Sequence, residues 1–271
     1  MLPEISILDG NFAHHPESMT HGKKARYFKW NRENKITSKS CFITDNFIHR
    51  IDKCNADRKV GMLIEPPAIN PSIYSFCKEH YKKFDYILTF DRELLEMGKN
   101  FLFFPFGVCW IKNFTKPKKN KMCSMIASDK RFTPGHDFRQ LVIKRFADKV
   151  DHYGRGFTYI EDKEDGLRDY YFSIVIENSR TDYYFSEKII DCFASRTVPI
   201  YWGSNVSSFF DMNGIITFNT IDDLEKIINN LSADYYKTFE KAMENNFNLI
   251  CEKDYEIPED WIYKHYPFLI N

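Results

Sequence analysis

A chain of 271 residues with 43% hydrophobic content can bury a substantial core, in one large domain or in two small ones. Its 38 lysines and arginines balance its 38 aspartates and glutamates, so no overall field draws it to nucleic acid or to an anionic membrane, and any anion site must be local. No stretch approaches the ~18 apolar residues of a membrane span. The opening MLPEISILDGNF lacks the basic and apolar regions of a secretion signal, which points to a cytoplasmic protein.

The seven cysteines (Cys41, Cys54, Cys77, Cys109, Cys123, Cys192 and Cys251) are odd in number and scattered, with neither a CxxC pair nor a zinc-ligand spacing. They read as reduced, mostly buried thiols. The sequons at Asn113, Asn205 and Asn230 are chance matches in an asparagine-rich chain without a signal. Aromatic residues make up 17% of the chain and serve either as core filling, their ordinary use, or as stacking surfaces for bases and sugars.

In chain order, strand-like pieces at Ile5 to Leu8 and Cys41 to Thr44 are set among polar turns. From Lys59 the pattern sharpens. KVGMLIE reads as a buried strand, SIYSFCKEHYKK as a helix, YILTF as a strand, RELLEMG as a short helix and FLFFPFG as a strand. The run Lys116 to Lys121 carries four lysines, one proline and no apolar side chain, the composition of an exposed connection, and a domain boundary is expected there. The alternation then restarts. KMCSMIAS is strand-like, and HDFRQLVIKRFADKV places Phe138, Leu141, Val142, Phe146 and Val150 at helical spacing. DYYFSIVIEN, VPIYWG and GIITF read as strands, FSEKIIDCFASR as a helix, and TIDDLEKIINNLS as a helix started by Thr220 or Asp222. Helical patterns over Ala233 to Ile250 and around Trp261 close the chain. Alternating strands and helices imply parallel sheets covered by helices, hence two Rossmann-like halves whose ligands sit beyond the carboxyl ends of the strands.

The segment Tyr171 to Gly203, YFSIVIENSRTDYYFSEKIIDCFASRTVPIYWG, concentrates the chemistry. An apolar run to Ile176 ends abruptly at Glu177 and Asn178, where a strand's carboxyl edge would open, and a loop leads to a helix whose first turn holds Ser186, Glu187 and Lys188. Free N–H groups and the helix dipole there favour an anion, and Lys188 adds a full positive charge for a diphosphate. Glu187, an acceptor only, suits sugar hydroxyls. Capping by Ser186 and Glu187 beside a solvated Lys188 would explain the same residues without a ligand.

Glu177, Asn178, Tyr184, Ser186, Glu187, Lys188, Ile189, Asp191, Val198, Pro199, Ile200 and Gly203 together stand at the spacing of a known pattern. That pattern resembles the donor-site motif of the α1,3-fucosyltransferases, glycosyltransferase family ten, with Ser186 in place of the commoner threonine. SEKIID and VPIYWG are similar to the TEKIID and IPIYWG of bacterial members, and soluble bacterial members are the nearest in kind. The resemblance implies an α/β fold of GT-B type, two Rossmann-like domains with parallel sheets facing a central cleft. It places an acceptor-side domain at 1–116 and a donor-binding domain with closing helices at 117–271. It also implies a diphosphate-binding arginine on the first helix of the donor domain, best matched by Arg139, whereas Arg145 on the same helix reads as a solvated charge. HYGRG, His152 to Gly156, is similar to the family's strand-to-turn segment. In the N-terminal half, KVGMLIEPPAINPSIY before FDYILTFD resembles the segment that carries the family's catalytic carboxylate, here Glu65. The other reading of Glu65 is a loop carboxylate turned to water. Asp85 begins an apolar strand, and Asp91 is explained by capping.

By this resemblance the donor is GDP-fucose, the acceptor is a glycan hydroxyl, and the reaction is an inverting displacement. Glu65 would be general base, and Arg139, Lys188 and the helix start would stabilise the departing diphosphate, with Asn178, Tyr184 and Glu187 orienting nucleotide and sugar. The implied reaction requires no cofactor. There is no D-x-D metal motif, EDKED at Glu161 to Asp165 reads as a solvated turn, and a divalent ion, where it stimulates, would need no protein cage. The alternative on the same scaffold is another nucleotide sugar or a non-glycan acceptor such as a modified DNA base, which the neutral net charge disfavours. A further alternative is a non-catalytic nucleotide- or glycan-binding protein. Acceptor, linkage and oligomeric state have no counterpart in the pattern.

Overall fold

The computed structural model describes residues 1–10, 17–21, 23–33 and 36–271. They form two compact units, one of residues 1–108, 181–184 and 257–271, the other of 109–180 and 185–256.

Among the described residues, the first unit is built on a parallel sheet of β1 (Glu4–Leu8), β2 (Lys29–Asn31), β3 (Ser40–Thr44), β4 (Arg58–Met62), β5 (Tyr86–Thr89) and β6 (Phe101–Phe103), in the order β2-β1-β3-β4-β5-β6. Helices α1 (Pro71–His80) and α2 (Arg92–Met97) are the crossovers after β4 and β5. Strand β3 is buried along its whole length, as expected of a strand covered on both faces. Its Cys41 and Ile43 pack with Ile73, Tyr74 and Cys77 of α1 and with Ile87 of β5. Asp91 caps α2 by accepting the Leu94 N–H, and Asp85 accepts the Lys59 N–H, so both aspartates have local structural work.

The second unit carries β7 (Lys121–Ile126), α3 (Pro134–Arg145), β8 (Asp151–Tyr153), β9 (Tyr170–Ile176), α4 (Glu187–Ala194), β10 (Val198–Trp202) and β11 (Ile216–Thr217), followed by α5 (Ile221–Asn229), α6 (Ala233–Lys237) and α7 (Glu240–Glu252). Its parallel sheet runs β11-β10-β9-β7-β8. The central strand β9 and the apolar face of α4 meet over Phe172, Ile174, Ile189, Ile190 and Phe193, all essentially buried. Helix starts are well specified: Thr133 caps α3 with Pro134 at its first position, Ser186 caps α4, and Thr220 and Asp223 form a capping box on α5.

In each sheet the chain lays its second strand on one side of the first and its third strand on the other. The strand order therefore reverses between β1 and β3, and again between β7 and β9. Ligands of open α/β sheets bind outside the carboxyl ends of the strands at such reversals.

The division differs from the sequence expectation of 1–116 and 117–271 in two ways. Cys109 and Ile111 are already part of the second unit's core, and the Trp110 N–H is held by Asp191, which moves the break back to Val108. Residues 257–271, with α8 (Pro258–His265), group with the first unit because Glu259 accepts the Met19 N–H and the Trp30 indole N–H, while Asp260 grips Arg26. The run Lys116 to Lys121 is exposed except at Lys119, whose Nζ donates to the carbonyls of Leu167 and Ser195 and to the Thr197 hydroxyl. Burial lowers that ammonium to about 7. The expected helix from Ala233 to Ile250 is broken between α6 and α7, where the Thr238 hydroxyl and N–H both turn back to the Tyr235 carbonyl.

Candidate functional site

The carboxyl end of β9 is where the second unit gathers its charged groups. Glu177 continues the ladder by donating its N–H to the Trp202 carbonyl, 2.9 Å away, and its side chain is completely buried. A buried carboxylate needs donors, and Ser186 supplies two, its N–H to Oε1 at 3.0 Å and its hydroxyl to Oε2 at 2.7 Å. Glu177 thereby ties the start of α4 to the end of β9. Lys188 Nζ lies 3.0 Å from the Ser186 hydroxyl oxygen, 3.3 Å from Glu187 and 3.8 Å from Glu177. The ammonium thus sits over the first turn of α4.

Helix α3 closes the other side of this edge. Its Gly135 donates to the Asn178 carbonyl at 3.2 Å, and a Cβ there would stand 1.8 Å from the Glu177 carbonyl oxygen. Only glycine permits that approach. One turn on, Arg139 is buried with its Nε donating to the Ile176 carbonyl at 2.8 Å and its Nη2 to Asn178 Oδ1 at 2.9 Å. In the HYGRG segment, Gly154 has φ +108° and a Cβ would meet the Ala127 carbonyl at 2.2 Å, so this turn after β8 also demands glycine.

Two further residues, Lys163 and His136, join the group that sequence reasoning did not single out. Lys163, within the EDKED segment, lies 2.9 Å from Glu187 Oε1 and 3.4 Å from Asp191 Oδ2, with its ammonium 4.5 Å from the centre of the Trp110 ring. Glu187 and Asp191 are four apart on α4 and present one face to it. EDKED is therefore solvated only in part: Glu161 and Asp165 are exposed, whereas Lys163 turns to α4 and Glu164 is buried and paired with Arg168. Burial pushes the Glu187 carboxyl up, but Lys163 and Lys188 outweigh it and hold the group well below the usual carboxylate range. Burial raises Asp191 to about 6 against the pull of Lys163. His136, buried at the start of α3, is lowered to about 4 by burial and by Arg139, Lys130 and Lys188. The Thr133 hydroxyl oxygen accepts the His136 N–H at 3.2 Å and shares a 2.6 Å hydrogen bond with the ring Nδ1. This edge therefore presents guanidinium and ammonium donors and a neutral imidazole beside two helix starts, an arrangement suited to an anion.

Of the expected donor-site residues, Arg139, Glu177, Asn178, Ser186, Glu187 and Lys188 come together here. Tyr184 belongs to the segment 181–184 that groups with the first unit, where it is buried with its ring 5.2 Å from that of Phe90. Arg145 is exposed and paired with Glu225.

Glu65 lies in the first unit, three residues beyond β4, partly exposed. Its carbonyl accepts the Tyr74 hydroxyl at 2.8 Å, and its N–H is held by Asp45 at 3.2 Å. Among the described residues no group of three or more His, Cys, Asp or Glu side chains is arranged to hold a metal ion, and no helix is long and apolar enough to cross a membrane.

Residues 116–248 match the family model described as glycosyltransferase family 10 (fucosyltransferase), C-terminal. The chain resembles the family 10 fucosyltransferases. An α-(1,3)-fucosyltransferase, FucT, of Helicobacter pylori is 31% identical over 103 residues, 35% of this chain and 21% of that protein, so the match spans about a fifth of its length. A crystal structure of an α1,3-fucosyltransferase with GDP-fucose superposes with a TM-score of 0.57 at 18% identity, covering 91% of this chain and 83% of that one. An α-glucosyltransferase in complex with UDP-glucose and DNA superposes with a TM-score of 0.56 at 12% identity, over 86% of this chain and 80% of that one. At these identities the likeness establishes the fold, GT-B with two Rossmann-like domains on parallel sheets. The fucosyltransferase-like segment 116–248 contains the whole charged edge of β9 described above.

The local reasons for hits and misses are plain. Glu177 to Lys188 are contiguous, so strand end, cap and cation were visible together. Lys163 reaches Glu187 across 24 residues of sequence, and the acid-rich residues around it gave no sign of that distant partner. His136 stands in the first turn of a helix in a position that composition cannot distinguish from a cap neighbour.

Proposed function

We propose that this chain is an inverting glycosyltransferase that moves L-fucose from GDP-fucose to a hydroxyl of a glycan acceptor. The observation that carries the reading is the edge of β9, where Arg139, Lys188, His136 and the starts of α3 and α4 gather on the residues that match the fucosyltransferase donor motif. A nucleoside diphosphate leaving group gains negative charge as its bond to the anomeric carbon breaks, and fixed donors at that point lower the barrier. In this reading the ammonium of Lys188 leaves its contacts with Ser186 and Glu187 for the diphosphate, and Glu187 accepts hydroxyls of ribose or hexose. The acceptor oxygen forms its bond to the anomeric carbon from the opposite face, and its proton passes to the Glu65 carboxylate.

Acceptor-free release of GDP from GDP-fucose, compared with GDP-mannose and UDP-glucose, tests the donor assignment. Turnover of GDP-fucose that is lost in Lys188→Ala supports it, whereas preference for a uridine donor would replace it with another sugar on the same fold. The reading in which the acceptor is a modified DNA base draws on the fold likeness to the glucosyltransferase and on the lysine run. Burial of Lys119 takes one of those four cations away from any phosphate backbone.

A further inference from the structure

The carboxyl edge of the first unit holds an arrangement that the donor motif does not explain. Asp45 follows β3 directly, its side chain is buried, and its φ is +26°, a backbone conformation that side-chain-bearing residues rarely adopt. Strain of this kind persists where surrounding contacts over-determine it. Those contacts are specific. The Asp45 carboxyl accepts the Ile64 N–H at 2.9 Å through one oxygen and the Glu65 N–H at 3.2 Å through the other. From α1, the Tyr74 hydroxyl donates to the Glu65 carbonyl at 2.8 Å. Both polar groups of the Glu65 backbone are thus held by side chains from different elements, and Pro66 and Pro67 fix the chain that follows.

We propose that Asp45 is a positioning residue for Glu65, clamping the backbone of the base through its carboxyl and coupling the protonation of the two acids. The proposal rests on the reading of Glu65 as the base. Because Asp45 accepts the N–H of Glu65 itself, the two carboxyl groups are separated by at most one hydrogen bond and the length of one glutamate side chain. Among the described residues, the groups facing Asp45 include Glu65 after β4, Asp9 after β1, and Tyr74 and Cys77 of α1. Asp9 accepts the Thr44 hydroxyl at 2.6 Å and is paired with Arg32, so the cation of this cluster is directed to Asp9. Burial first, then the charges of Glu65 and Asp9, raise Asp45 to about 8 against the pull of the two N–H groups. At neutral pH Asp45 keeps its proton and leaves the negative charge to Glu65. Above that range both ionise side by side, and the proton affinity of each rises with the charge of the other.

A purely structural loop anchor would lower activity without altering how Glu65 titrates, so the test reads titration. In the intact protein the side-chain carboxyl carbon of Glu65 is followed by NMR from the acid through the alkaline range, in wild type and in Asp45→Asn. A two-step curve in wild type that becomes one step in the variant is expected; the same single step in both overturns the proposal. In acceptor-free hydrolysis of GDP-fucose, Asp45→Asn should lower kcat roughly tenfold to a hundredfold, leave KM nearly unchanged and leave the acid limb of kcat/KM in place, because Asp45 already carries its proton there. A variant with wild-type kcat overturns it. Should Asp45→Asn fail to fold, the wild-type titration still decides the coupling, and Tyr74→Phe, which deletes one hydroxyl of the clamp, should lower kcat roughly tenfold. Glu65→Gln at the wild-type rate would instead overturn the base reading, an outcome distinct from an Asp45→Asn variant that behaves as wild type while Glu65→Gln is inactive.

Discussion

The two units build the same strand order around their first strand, β2-β1-β3-β4-β5 in one and β8-β7-β9-β10-β11 in the other, and load the carboxyl edge with opposite chemistry. At the reversal of the first sheet stand Asp9 and Asp45, with Glu65 beyond the next strand, a group suited to holding and accepting protons. At the reversal of the second stand Arg139, Lys188 and His136, with Lys163 behind Glu187, a group suited to an anion. A parallel sheet supplies the place, and the residues just past the strands decide what that place can do.

Substitutions can break this comparison, beginning with the largest expected effect. Glu65→Gln removes a proton acceptor from the first edge and should lower turnover by about 10²–10⁴-fold, with GDP affinity measured by calorimetry unchanged. An equal loss of GDP affinity would mean that the two edges do not divide their roles. Gly135→Ala attacks the scaffold of the second edge, since its Cβ would overlap the Glu177 carbonyl and lift α3 from β9. Urea unfolding should show a loss of about 3 kcal/mol, accompanied by weaker GDP binding. Lys188→Ala should weaken GDP by about 2 kcal/mol, the worth of a hydrogen bond to a charged group, and leave folding stability nearly intact.

The smallest effect concerns Lys163, whose ammonium shares Glu187 with Lys188. Both side chains of the Lys163–Glu187 pair are 21% exposed, so Lys163→Met should cost about 1–2 kcal/mol, less than a fully buried pair. The pH dependence gives the sign. Glu187 is held below its ordinary 4.5, so its contribution is complete above that value and is lost as pH falls through the acid range. Lys163 is raised from 10.5, because Glu187 and Asp191 outweigh its burial, so its contribution is complete below 10.5 and is lost as pH rises further. The variant should therefore lose stability less steeply in acid than wild type does, and parallel acid unfolding curves would contradict the pairing.

Much of the second edge was legible because its residues are close in sequence. The apolar run ending at Glu177, the cap at Ser186 and the cation at Lys188 fall within twelve residues, and α3 showed its amphipathic spacing. The first edge was legible only at Glu65, since Asp9, Asp45 and Tyr74 come from three distant points of the chain and meet only once the sheet is ordered. Charge alone misled at Lys163 and Lys119, because burial there is compensated by partners far along the chain, Glu187 for one and the carbonyls of Leu167 and Ser195 for the other. Composition likewise placed the boundary at the lysine run, whereas the apolar Cys109 and Ile111 had already entered the second core.

The most direct test of the donor assignment is a comparison of the thermal stabilisation conferred by GDP, UDP, ADP and dTDP on wild type and on Lys188→Ala. A nucleotide at 100 times its dissociation constant adds about 2.7 kcal/mol to the folded state, a shift easily read. Selective stabilisation by GDP, reduced in Lys188→Ala, is the predicted result. Selective stabilisation by UDP, or the same response of both proteins to GDP, would contradict the assignment of the β9 edge to a GDP-sugar.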